Sequence, residues 1–138
     1  MFADIMGYTA MMQENEVHAL RSQEKFSKAI DREVMAHNGR IIQFSGDGVL
    51  CTFNSAIDAV QSAIAIQKEM RSDPEVPLRI GIHSGDVMVD EKNIYGDGVN
   101  IASRIESFAV AGGIFISAKV YDEIKNQNNI EAISLGTF

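Results

Sequence analysis

Cysteine is almost absent from this chain: Cys51 is the single one in 138 residues. An internal disulfide is excluded, and a reducing compartment, the cytoplasm, is predicted. Positive charge is also scarce. Lys and Arg number 12 against 19 Asp and Glu, giving a formal net charge of -7 and a pI near 4.8. That balance argues against nucleic-acid binding, which needs a basic face. It leaves room for a phosphate ligand whose charge is met by metal ions. No apolar run approaches a membrane span, no signal peptide is visible, and no membrane contact is expected. Internal repeats and low-complexity segments are missing as well.

What is there is ordinary for a globular protein, with 46% hydrophobic and 22% charged residues. Residues 1–138 read as a single domain with a real core. The chain opens on what reads as the second half of a strand and closes on a strand with no partner after it. A fragment of a longer protein is therefore expected.

The most informative stretch is Phe44-Ser45-Gly46-Asp47-Gly48. Apolar runs on both sides, Arg40 to Phe44 and Val49 to Phe53, predict a β-hairpin with Asp47 at its tip. Asp at a tight turn is either a plain turn former, bonding its own backbone, or a ligand presented between two glycines that let a partner approach. Asp4 poses the same choice. It interrupts the apolar strand Met1 to Met6, where a buried carboxylate is costly unless it is paired or holds a metal. Gly7-Tyr8-Thr9 then leads into a helix. The free N–H groups there make either an anion site beside Asp4 or an ordinary start capped by Thr9.

A helix is predicted from about Asn15 to Asn38. Val17, Leu20, Phe26, Ile30 and Val34 form its apolar stripe, Asn15 its N-cap and Gly39 its C′ glycine. His18 and His37 read as surface residues. A second helix follows the hairpin, with Ser55 and Asp58 as a capping box and Asp73-Pro74 as its end. The methionines, Met11, Met12, Met35 and Met70 among them, read as core filler. In the strand Val76 to His83, Leu78, Ile80 and Ile82 alternate with Arg79, Gly81 and His83. A short returning strand, Val87 to Val89, leads through a loop to Tyr95-Gly96-Asp97-Gly98 and a helix reaching about Phe108. On it Asn100 and Arg104 share a face, either as a solvated edge or as a pair aimed at a phosphate. A strand Ile114 to Ile116, a helix from Ser117 to about Lys125 and a last strand Ile130 to Phe138 complete the chain.

The order β-α-β-β-α-β-β-α-β-α-β fits an α+β fold. Its first six elements match a ferredoxin-like βαββαβ core, a mostly antiparallel sheet with helices on one face, extended by C-terminal β/α elements. In such a core the first strand and the hairpin are neighbours, so Asp4 and Asp47 can meet near one edge. Two carboxylates without His or Cys suit Mg²⁺ or Mn²⁺, and two such ions can clamp a phosphoryl displacement.

Four segments occur in order: Phe2-Ala3-Asp4-Ile5-Met6-Gly7-Tyr8-Thr9; Phe44 to Gly48; Arg79-Ile80-Gly81-Ile82-His83-Ser84-Gly85; and Tyr95 to Ile105. Together they resemble the catalytic domain of class III adenylate and guanylate cyclases over nearly the whole chain. The resemblance implies conversion of a nucleoside triphosphate to a 3′,5′-cyclic monophosphate and pyrophosphate, in a head-to-tail homodimer with shared active sites. Asp4, Ile5 and Asp47 would hold two Mg²⁺ or Mn²⁺ ions. The backbone of Met6, Gly7, Tyr8 and Thr9 would cradle the phosphates. The partner chain would supply Asn100 for the ribose and Arg104 for the α-phosphate. Regulatory domains would lie elsewhere in the full-length protein.

Three departures qualify the resemblance. Gln43 stands where adenylate cyclases of this class usually carry Lys, and Asn93 where they carry Asp or Thr. Guanylate cyclases usually have Glu and a small residue there. Two amides can donate or accept, so Gln43 and Asn93 fit either base, with ATP favoured. The family's C-terminal hairpin lies past Phe138. The competing readings are a guanylate cyclase, a non-catalytic nucleotide-binding or dimerisation module, and a palm-like enzyme such as a polymerase or cyclic dinucleotide synthase. The retained Asp4, Asp47, Asn100 and Arg104 favour an active cyclase.

Overall fold

The computed structural model describes residues 1–85, 88–89 and 94–136. Its elements are β1 (Phe2–Ile5), α1 (Tyr8–Glu14), α2 (Glu16–Ala36), β2 (Arg40–Ser45), β3 (Gly48–Thr52), α3 (Ala56–Arg71), β4 (Leu78–Ile82), β5 (Met88–Val89), β6 (Ile94–Tyr95), α4 (Asp97–Phe108), β7 (Ile114–Ile116) and α5 (Ala118–Ile124). Five strands form one sheet in the order β2-β3-β1-β4-β7, with β7 parallel to β4 and the other pairs antiparallel; β5 and β6 pair separately.

β1 is central, between β3 and β4, and its alternation assigns the two faces of the sheet. Ala3 and Ile5, with Val49, Cys51, Leu78, Ile80 and Ile82, join Phe26, Ile30 and Val34 of α2 and Ala63, Ile66 and Met70 of α3 in the main core. Phe2, Asp4, Arg79 and Gly81 point to the opposite face, and α4 lies on it. A Cβ on Gly81 would come within 2.3 Å of the Glu106 backbone nitrogen. Glycine there is what lets α4 press against the sheet. The expected core, with its helices on one face, is met by α2 and α3, and α4 of the C-terminal extension covers the other face.

Local signals decide several boundaries. Asn15 caps α2, its Oδ1 accepting from His18 N–H, and Ser55 Oγ caps α3 by accepting from Asp58 N–H. At the end of α2 the left-handed position belongs to Asn38 (φ 59), one residue before the expected Gly39. Gly39 N–H then reaches back to Val34 O, closing a Schellman turn.

The stripe of α2 also differs from expectation. Val17 and Leu20 are exposed, and small residues, Ala19, Ser22 and Ala29, share the buried face with Phe26, Ile30 and Val34. Met35 is exposed, Met11 and Met12 half-buried, and Met70 alone of the four is core. Residues 130–136 form no ladder, and 131–136 are all exposed, so the last expected strand is absent over them. None of the described helices is long and apolar enough to cross a membrane.

Candidate active site

The β2–β3 hairpin turns on Gly46 and Asp47, with Ser45 paired to Gly48 and Gly46 at φ 59. The Asp47 carbonyl accepts from Ile5 N–H at 2.9 Å, tying the turn to the end of β1. Gly48 pairs with Asp4 across the ladder. The β1–β3 register thus brings Asp47 and Asp4 to one place, as the expected neighbourhood of β1 and the hairpin implies, although that place is beside the central strand and not a sheet edge.

A cleft of about 470 Å³ opens there, between the sheet and α4. Asp4, Gln43, Asp47 and Gly48 line it from below, and Val99, Ser103 and Glu106 from α4. Gln43 arrives by an irregularity. Ile41 pairs with Cys51 and Gln43 with Leu50, so Ile42 is an extra residue, a β-bulge. In an unbroken strand Gln43 would share the core face of Ile41; the bulge moves it to the cleft.

Two further residues complete the cleft. Arg79, opposite Asp4 in the β1–β4 ladder, donates Nε to Asp4 Oδ1 and Nη2 to Asp4 Oδ2, both at 3.1 Å. This is the bidentate pairing a guanidinium makes best. Arg79 Nε also lies 3.2 Å from Glu106 Oε1. Its hydrogen points to Asp4, and Glu106 Oε1, fully enclosed, has no hydrogen-bond partner among the described residues. Burial pushes the Glu106 carboxyl up to about 7; the neighbouring Asp4 carboxylate acts in the same direction and Arg79 opposes them. Arg79 is held above its ordinary value, chiefly by its hydrogen bonds to Asp4. Sequence reading gave neither residue a role. The signal for Arg79 was an opposite charge facing Asp4 across an antiparallel ladder.

The other expected site residues divide into groups. The Ile5 side chain is in the core, so only its backbone faces the site. Met6 N–H is already given to Pro77 O at 2.7 Å, so a phosphate cradle there falls to Gly7, Tyr8 and Thr9. Gly7, left-handed at φ 71, is the N-cap of α1 in place of Thr9. Asn100 and Arg104 are exposed and do not line the cleft. Asn93 lies outside the described residues.

The donor set fits divalent cations. Asp4 and Asp47 offer hard oxygen donors in an acidic cleft. Among the described residues no three His, Cys, Asp or Glu side chains converge into a ready cage. A metal there would draw its remaining ligands from backbone, water and phosphate, the habit of Mg²⁺.

Comparison with known proteins gives the family. The family model described as the adenylate and guanylate cyclase catalytic domain matches residues 1–137. A protein named putative adenylate cyclase 3 from Rhizobium meliloti is 35% identical over 143 residues, 97% of this chain but 24% of its own length. The chain thus spans about a quarter of that relative. Among solved structures, a guanylyl cyclase domain from the fungus Blastocladiella emersonii superposes with a TM-score of 0.82 at 26% identity, covering 90% of this chain and 82% of that one. The adenylyl cyclase CyaB from P. aeruginosa gives 0.78 at 27%, covering 91% and 79%. On the family model and the relatives together, the chain belongs to the class III adenylate and guanylate cyclase catalytic-domain family.

Proposed function

We propose that residues 1–138 act as one catalytic module, in the cytoplasm, that converts ATP to 3′,5′-cyclic AMP and pyrophosphate at sites shared across a homodimer, with two Mg²⁺ or Mn²⁺ ions per site. The observation that carries this reading is the division of the site. Asp4, Asp47 and Gln43 line one cleft, whereas Asn100 and Arg104 stand exposed on α4 outside it. One copy therefore offers a metal-and-base half and, on another surface, a ribose-and-phosphate half, which two copies placed head to tail would join.

In this reading Asp4 and Asp47, with the Ile5 backbone, hold the ions. When bound, the ions supply positive charge that acidifies the ribose 3′-OH and neutralises the triphosphate. The N–H groups of Gly7, Tyr8 and Thr9 meet the β- and γ-phosphates. The partner's copy of Asn100 orients the ribose, and that of Arg104 offsets the charge growing on the α-phosphate. The 3′-oxygen bonds to the α-phosphorus, the bond to the bridging oxygen breaks, pyrophosphate leaves and the hydroxyl proton passes to solvent. Positioning and charge neutralisation suffice for such a transfer.

Gln43 and Asn93 read the base. Adenine offers a ring acceptor and an exocyclic donor, guanine the reverse pattern, and an amide can serve either. The Rhizobium relative is named as an adenylate cyclase, which favours ATP; the amide of Gln43, able to donate or accept, keeps cyclic GMP as the second reading. Turnover with Mn²⁺, offering ATP and GTP separately and resolving products by chromatography, tests this. Cyclic AMP as the main product is expected. Cyclic GMP would move the specificity and keep the mechanism. A folded dimer that binds nucleotide without product would make the domain a regulatory module.

A further inference from the structure

Arg79 sits between two carboxylates and is hydrogen-bonded to one of them. Its Nε and Nη2 occupy both oxygens of Asp4 at 3.1 Å, the oxygens a divalent ion would need. Glu106 Oε1 waits 3.2 Å from the same Nε, enclosed and without a hydrogen bond among the described residues. Glycine at position 81 lets α4 seat this close to the sheet, since a Cβ there would come within 2.3 Å of Glu106 N, and that seating brings Glu106 onto Arg79. An enclosed acceptor without a donor is costly in place, and here the donor it lacks is an ångström-scale rotation away.

The charges give the arrangement a direction. Asp4, Asp47 and Glu106 face the single guanidinium of Arg79. A divalent ion at Asp4 and Asp47 would compete with Arg79 for the Asp4 oxygens and repel it. Among the described residues the other carboxylate paired with Arg79 is Glu106, whose Oε1 lies 3.2 Å from Nε.

We infer that Arg79 is a positioning residue that exchanges partners, neutralising Asp4 in the metal-free site and moving to Glu106 when a divalent ion takes Asp4. This rests on the metal-site reading above. Arg79 then acts as a stand-in cation that keeps Asp4 oriented, and Glu106 is the receptor that makes release of Asp4 affordable.

The test is calorimetric titration of the whole domain with Mn²⁺, without nucleotide, at low salt. Asp47→Asn should abolish or strongly weaken binding; if it leaves binding unchanged, the metal-site reading fails and the exchange with it. Given that site, Glu106→Gln should weaken Mn²⁺ binding by about tenfold, because Arg79 has lost its charged destination, and Arg79→Gln should tighten it by about threefold, because the competitor is gone. In the Arg79→Gln background the effect of Glu106→Gln should shrink to under about threefold. Arg79→Lys supplies the same cycle if Arg79→Gln does not fold, since Lys cannot grip both Asp4 oxygens. An equal Glu106→Gln effect in both backgrounds would mean simple loss of a nearby charge, and weaker Mn²⁺ binding by Arg79→Gln would mean that Arg79 only props Asp4. Either result overturns the exchange.

Discussion

Glu106 is 8% exposed, beside one carboxylate and one guanidinium, and its carboxyl is raised to about 7. A raised folded-state value means that the folded protein holds this proton more tightly than the unfolded chain does. The stabilisation is complete below the ordinary carboxylate range and is lost as pH rises towards 7. The metal-free wild type should therefore lose stability relative to Glu106→Gln between about pH 5 and pH 7 and run parallel to it above that. Thermal melting of both proteins across this range checks the prediction; parallel curves throughout would contradict it. Neither Glu106 nor Arg79 was legible as a functional residue. Strand alternation placed Arg79 on the face away from Leu78, Ile80 and Ile82, which is correct. That this face is covered by α4, and so brings Glu106 onto Arg79, is a tertiary fact that no local pattern carries. Asp4 and Asp47 were legible, because a charge in an apolar strand and an Asp between glycines at a hairpin tip are both local anomalies.

Among the elements, α4 carries the most consequence. It contributes Val99, Ser103 and Glu106 to the cleft and exposes Asn100 and Arg104, and its seat is Gly81. An alanine there would place its Cβ 2.3 Å from Glu106 N and 2.6 Å from Glu106 Cα, which are backbone atoms that cannot rotate away. Gly81→Ala should cost about 1–3 kcal/mol of stability through overpacking and should reduce turnover by displacing α4. Urea unfolding beside an activity assay checks this; unchanged stability would mean that α4 shifts freely. The hairpin and its place beside β1 were readable because turn chemistry and element order are short-range signals, but its register was not, since the bulge at Ile42 breaks the period-two alternation. The stripe of α2 was misread because Val17 and Leu20 look like core residues while Ala19, Ser22 and Ala29 are the ones that allow close packing. Residues 130–136 have strand-like composition, but a strand exists only where another strand offers hydrogen bonds.

For the molecule as a whole, the central claim is that one chain holds two halves of different sites. On that claim the cleft with Asp4 and Asp47 would be one half, and the exposed α4 face with Asn100 and Arg104 the other. Asp47→Ala and Arg104→Ala should each abolish or strongly reduce turnover, Arg104→Ala by about 10²-fold or more, the scale of losing one preorganised charge donor. In a heterodimer of the two variants, one site would combine an intact cleft with an intact Arg104 while the other would lack both. The measurement that tests the claim most directly is cyclic nucleotide production by these two variants mixed as heterodimers. The account predicts recovery well above either variant alone, approaching half the wild-type rate per dimer. No recovery in confirmed heterodimers of folded chains would contradict a site shared between two copies.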